Sequence, residues 1–162
     1  MRNPAEYLRL AYEVAGRSPD PSTQTGAVLV GRCGSEVLAY NSIPMPLETT
    51  QERLHDRELK SQYLEHAERR AIYSAARRGI CTKGATLYSP WPPCTGCARA
   101  VVDSGIGELV FHRLLLQLTP DRWIDEIRAG MQILIAGSVK LTPFKSPLNA
   151  SPIRFDGNIV HP

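Results

Sequence analysis

Two short motifs, His66-Ala67-Glu68 and Pro93-Cys94-Thr95-Gly96-Cys97, constrain this chain more than any other feature, because they make chemical sense only if they meet in space. Neutral imidazole nitrogen and cysteine thiolate are preferred ligands of Zn²⁺, and a catalytic zinc usually has three protein ligands with the fourth tetrahedral position open to water. His66, Cys94 and Cys97 supply that count. A structural zinc normally takes four protein ligands, and the other two cysteines, Cys33 and Cys81, do not form a second Cys-x-x-Cys. They are expected to be plain buried thiols. Taken alone, a His-x-Glu is usually two polar residues on a helix surface, and a lone Cys-x-x-Cys could be a structural half-site or a redox pair. The two in this order, with a proline directly before the first cysteine, favour a catalytic zinc site.

Residues three apart in the first turn of a helix share a face, so Cys94 and Cys97 can grip one ion if a helix starts there. Pro92 and Pro93 favour such a start, and the predicted helix runs from Cys94 to Ser104. Free backbone N–H groups at that turn also stabilise thiolates. His66 would open a second helix, through the apolar-periodic run Ala67 to Ala76. On an ideal helix Glu68 points away from the His66 direction, yet both can converge on a cavity facing the helix end. Glu68 is then a proton shuttle beside the metal rather than a ligand.

The remainder reads as one compact α/β domain, with 162 residues enough for a sizeable core. Asn3 can cap a helix with Pro4 in its first turn; Tyr7, Leu8, Leu10, Ala11 and Val14 follow at helical spacing, and Gly16 ends it. After the turn-rich stretch Ser18 to Thr25, Gly26 to Val30 is short and apolar enough for a buried strand, and Glu36 to Tyr40 completes a hairpin. Ile43 to Glu65 is an insertion that leans helical from Glu52 to Leu64. Arg53, Arg57 and Lys60 there suit phosphate oxygens chemically, though a solvated helix face is the simpler reading, and His55 is expected at the surface. Strands at Gly84 to Tyr88 and Glu108 to Phe111, a helix from Asp121 to Ala136 and a short strand at Val139 to Thr142 follow. Strand-helix-strand connections of this length imply parallel neighbours. The expected fold is therefore three layers, α/β/α, around a mixed sheet of about five strands, with residues 1–142 as the domain and 143–162 as an irregular tail.

The net charge of +3 is too small to imply nucleic acid by itself, and the basic residues are scattered. No transmembrane run or signal peptide is visible, so a cytoplasmic protein is the expectation.

The ordered pair of motifs resembles the zinc-dependent cytidine and deoxycytidylate deaminase superfamily, whose signature joins His-x-Glu to Pro-Cys-x-x-Cys. Asp20 to Ala27, then Ala39-Tyr40-Asn41 and Pro44, is similar to the opening of deoxycytidylate deaminases. So are Ala71-Ile72 after the histidine, Val101-Val102, Ser104-Gly105-Ile106 and Val110. Arg70 departs from an asparagine usual in that subfamily, and Glu65 from a commonly apolar position. The resemblance implies hydrolytic deamination of a cytosine nucleotide, dCMP to dUMP, with zinc activating water and Glu68 moving protons. It implies substrate contacts at Asn41, Ala67 and Trp91, a small-molecule nucleotide as partner, and a homo-oligomer. For Asn41 an ordinary loop-capping amide stays open, as does a packed sheet-end ring for Trp91. Deamination of another base (polynucleotide cytosine, tRNA adenosine or a small heterocycle) and a non-catalytic zinc module are the competing readings.

Overall fold

The computed structural model describes residues 2–162. Helix α1, Pro4–Ala15, opens on a reciprocal cap: the Asn3 side chain accepts from the Glu6 N–H at 3.0 Å and the Glu6 carboxylate accepts from the Asn3 N–H at 2.7 Å. Tyr7, Leu8, Ala11, Tyr12, Val14 and Ala15 form its buried face. Strand β1, Gly26–Val30, runs directly beneath it, and a Cβ at Gly26 would lie 2.1 Å from the Ala11 carbonyl oxygen, so glycine sets how closely helix and strand approach. All five residues of β1 are buried, as befits an inner strand covered on both faces, whereas β2, Glu36–Tyr40, alternates as an edge strand does.

The insertion carries two short helices, α2, Gln51–His55, and α3, Arg57–Tyr63, where the sequence suggests one. Asp56 divides them: its extended backbone stops α2, and its carboxylate caps α3 by accepting from the Glu58 and Leu59 N–H groups at 2.9 and 2.8 Å. Helix α4, Ala67–Arg77, buries Ala67, Ala71 and Ala75, small residues in one row that let it lie close on the sheet. Strand β3, Thr86–Ser89, begins two residues later than the sequence suggests because Gly84, at φ 71°, belongs to the turn. Then come α5, Thr95–Asp103; β4, Glu108–His112; α6, Arg113–Gln117; α7, Asp121–Ala136; and β5, Lys140–Phe144. Pro143 is tolerated in β5 because that strand lies at the sheet edge.

The sheet order is β2-β1-β3-β4-β5; β1 pairs antiparallel with β2 and β3, while β3-β4 and β4-β5 are parallel. One face packs on α4, α5 and α7 through Leu29, Leu87, Leu109, Phe111 and the alanine row of α4. The other packs on α1 through Val28, Val30, Tyr88 and Val110. The three-layer α/β/α arrangement with a mixed five-stranded sheet is as the sequence implies. On the α1 side the buried Tyr12 hydroxyl lies 2.8 Å from His112 Nδ1.

Two expectations are corrected. The run from Pro143 is not irregular: it completes β5 and later forms a hairpin of β6, Ile153–Phe155, and β7, Asn158–Val160. Leu148, Ile153 and Phe155 are buried in the α1-side core, so this segment is part of the packed body. Cys33 and Cys81 are exposed rather than buried, because both sit in turn segments outside the sheet and helices.

Candidate metal centre and cavity

His66 and Cys94 are the residues immediately ahead of α4 and α5, both with extended backbone, and neither side chain caps its own helix. Both side chains are thereby free to meet between the two helix starts. His66 Nδ1 lies 3.5 Å from Cys94 Sγ and 3.5 Å from Cys97 Sγ, and the three donor atoms fall within 4.8 Å of one another. Tetrahedral bonds of about 2.3 Å to sulfur and about 2.05 Å to nitrogen place such atoms about 3.6 Å apart. The donor set and its spacing therefore fit a zinc ion.

The thiols carry the electrostatic mark of that proximity. A hydrogen bond from Cys97, aided by His66, holds the Cys94 thiol down at about 3 against the opposing effect of burial. The same hydrogen bond and burial push Cys97 upward. Burial alone would lower His66, but its hydrogen bond to Cys94 and the charge of Glu68 turn the net shift upward. Glu68 lies just inside α4, is 6% exposed, and places Oε2 3.7 Å from Cys97 Sγ, outside the three-donor group. Burial raises its carboxyl above the usual carboxylate range, despite the opposing charge of His66.

Neighbouring elements brace this end, and several of the bracing residues carry no recognisable sequence signal. Glu126 of α7 accepts from the Thr95 N–H at 3.0 Å and from the Thr95 hydroxyl at 2.5 Å, tying the start of α5 to α7. Gly130 of α7 lies so close to the cysteine loop that a Cβ would stand 2.3 Å from the Pro93 carbonyl oxygen. Both read in sequence as ordinary positions on an amphipathic helix. The Glu65 departure also acquires a purpose. Its carboxylate accepts from the His66 N–H at 3.0 Å and from Arg69 Nε at 2.5 Å, and its backbone pairs with Ser42 at the end of β2. Arg70 sits beneath this junction, with Nη1 3.4 Å from the Ile43 carbonyl oxygen and its guanidinium 5.9 Å from the Tyr40 ring centre.

A cavity of about 780 Å³ opens from His66, Glu68 and Cys94. The loop Asp20–Thr25 and Asn41 line one part of it, α2 and α3 contribute Leu54, His55, Arg57, Lys60 and Ser61, and Trp91, Arg122 and Trp123 complete the wall. Asn41 is buried and fully engaged: its Oδ1 accepts from the Thr25 N–H at 2.8 Å, and its Nδ2 donates to the Thr23 carbonyl at 2.8 Å and to Asp20 at 3.3 Å. It caps the loop while facing the cavity. Ala67 does not line the cavity; its side chain packs with Ala71 and Ala75 in the core. Trp91 does line it, donating Nε1–H to the Thr119 hydroxyl at 2.9 Å with its ring edge-to-face against Trp123 and Phe155. Of the three basic residues on the insertion, Arg53 lies over the Tyr63 ring away from the cavity, while Arg57 and Lys60 face it. His55 is exposed as expected, yet it stands on the cavity wall.

No helix among the described residues is long and apolar enough to cross a membrane. The chain is 33% identical over 116 residues to the deoxycytidylate deaminase of Mus musculus, covering 67% of this chain and 63% of the mouse protein. It is 42% identical over 69 residues to the deoxycytidylate deaminase of Enterobacteria phage T2, covering 42% of this chain and 36% of the phage protein. It thus matches a little under two thirds of the length of its mammalian relative. Among solved structures, the dCMP deaminase of cyanophage S-TIM5 superposes with a TM-score of 0.65 at 17% identity, covering 89% of this chain and 100% of the phage chain, which establishes a shared fold. Residues 1–113 match the family described as the cytidine and deoxycytidylate deaminase zinc-binding region, and these residues contain both motifs and the whole three-donor group, so the chain belongs to that family.

Proposed function

We propose that this protein is a zinc-dependent hydrolase that converts dCMP and water to dUMP and ammonia. The observation that carries this reading is the buried Glu68 carboxylate beside, but outside, the His66, Cys94 and Cys97 group, at one end of a cavity with room for a nucleotide. His66, Cys94 and Cys97 would hold the metal. A zinc ion there supplies a Lewis acid that makes water nucleophilic near neutral pH. Glu68 takes a proton from the attacking water and delivers it to the ring nitrogen as C4 is attacked. It then takes the remaining proton from the newly added hydroxyl and gives it to the departing amine, acting each time first as base and then as acid. Its raised pKa suits that cycle, because a carboxyl that holds a proton nearer neutrality both accepts and returns one readily. Trp91 and Trp123 offer flat apolar surface to a base, in keeping with pockets that read a base by stacking and edge contacts. A cytosine nucleotide is favoured because the mouse and phage relatives are deoxycytidylate deaminases.

An ammonia-release screen of the zinc-loaded protein over cytosine, cytidine, deoxycytidine, CMP, dCMP, dCTP and guanine tests this directly. The expected outcome is the highest kcat/KM on dCMP. Preference for guanine or a free base would replace the substrate assignment, and no release from any of them would overturn the activity.

A further inference from the structure

Two of the positive charges on the cavity wall, Lys60 and Arg122, are held in different ways. Lys60 is bound at 2.6 Å to Asp20, a carboxylate 2% exposed that also accepts from the Ser22 and Thr23 N–H groups and from Asn41. Its charge is spent inside the wall. Arg122, in the first turn of α7, also lines the cavity, but its partner stands outside it: Asp156, in the turn between β6 and β7. Nη1 lies 3.4 Å from Asp156 Oδ2, and Nη2 donates to Oδ1. A guanidinium carries five N–H donors in a rigid fork, so this grip fixes its orientation and leaves donors for a second anion.

The same hairpin holds a second part of the wall. The Gln24 N–H donates to the Arg154 carbonyl at 2.7 Å and the Gly157 N–H to the Ser22 carbonyl at 2.9 Å. The Arg154 N–H donates to Gln24 Oε1 at 2.9 Å, and the Asp156 N–H to the Thr23 hydroxyl at 3.3 Å. Phe155 stands edge-on to Trp91 with ring centres 5.0 Å apart. Ser22, Thr23, Trp91 and Arg122 all line the cavity, and no residue of the hairpin does. The hairpin shapes the cavity without touching its contents.

We propose that Arg122 is a specificity-determining residue for the phosphoryl end of the substrate, and that Asp156 is the positioning residue that orients it. Both lie beyond residues 1–113, the part matched to the family. The inference rests on the nucleotide reading above, and the experiment separates the two.

Steady-state rates on dCMP and deoxycytidine are compared for zinc-loaded wild type, Arg122→Ala, Asp156→Asn and Asp156→Glu. Loss of one hydrogen-bonded charge on a phosphate should lower the preference for dCMP over deoxycytidine by about tenfold or more, expressed mainly in the KM for dCMP. Asp156→Asn should show the same direction as Arg122→Ala, and Asp156→Glu should recover most of the preference. If both substrates decline together in every variant, the hairpin is merely structural and the proposal is overturned. If wild type acts on neither compound, the deaminase reading fails, and binding of inorganic pyrophosphate to wild type and Arg122→Ala decides instead. Weaker binding by Arg122→Ala upholds the anion site; equal binding removes it. Asp156→Glu serves as the folded comparator should Asp156→Asn fail to fold.

Discussion

The two ends of the cavity are built on opposite plans. At the end proposed to hold zinc, the candidate ligands belong to two contiguous motifs, each at a helix start, and helix geometry places Cys94 and Cys97 together. At the outer end nothing is contiguous. Asp20 meets Lys60 of α3, Gln24 meets Arg154 of β6, and Arg122 of α7 meets Asp156 of the hairpin turn. The first plan is dictated by coordination chemistry, which accepts few residue types at few spacings. The second is a set of ion pairs and backbone contacts that many sequences could make. Metal affinity and substrate affinity should therefore be separable by mutation.

The largest expected effect is at the metal end. Cys94→Ala should abolish zinc binding and lower the melting temperature, since the ligands organise the junction of α4 and α5; zinc content by elemental analysis is the check, and full retention would refute the ligand assignment. Glu68→Gln sharpens the contrast within that end. It keeps the shape of the side chain but cannot cycle a proton, so turnover should fall roughly 10²–10⁴-fold or more while zinc content holds. Loss of zinc from this variant would make Glu68 a ligand. Gly130→Ala acts at one remove. Its methyl group would press on the Pro93 carbonyl, an overpacking that costs about 1–3 kcal/mol, and competition with a chelator should show weaker zinc retention than in wild type.

Lys60→Met addresses the outer end. It strands the buried Asp20, yet Lys60 is partly exposed and Asp20 keeps other donors, so a loss of about 1–2 kcal/mol is expected in denaturant unfolding. Zinc content should stay unchanged, and a fall in it would erase the separation between the two ends. The smallest effect concerns neither end. Burial lowers the pKa of His112 below its ordinary 6.5. The unfolded chain therefore takes up this proton first as pH falls, and stability declines from about pH 6.5 down to the depressed folded value. Subtracting the melting curves of His112→Gln from those of wild type across this range should isolate that slope; parallel curves would show that His112 contributes none.

What the sequence reveals follows the same division. His66, Cys94, Cys97 and Glu68 are legible because their chemistry narrows the choice, and α1 and α7 are legible because a buried face repeats every third or fourth residue. Glu126 and Gly130 are silent, since an acidic residue and a glycine on a surface helix usually have no partner to announce. Ala67, the middle of His66-Ala67-Glu68, turns its methyl group to the core, so its side chain adds to the packing of α4 on the sheet. The final hairpin is hard to read in the sequence because each strand has three residues, too few for an alternation to register. A signal was nevertheless present. Asp156 and Gly157, at φ 50° and 79°, form the two-residue turn with both residues in the left-handed region for which Asp-Gly is a favoured pair.

The position of that hairpin along the chain has a consequence for biosynthesis. A chain is made from its N-terminus, and local units can organise while the rest is still being added. Every residue of the proposed zinc site has been made once Cys97 is in place, whereas the α7 residues that brace them arrive with Glu126 and Gly130, and the clasp on Ser22, Thr23 and Arg122 waits for Asp156 and Gly157. A nascent chain stalled between these points would hold the chemistry of the site before it had the means to choose a substrate.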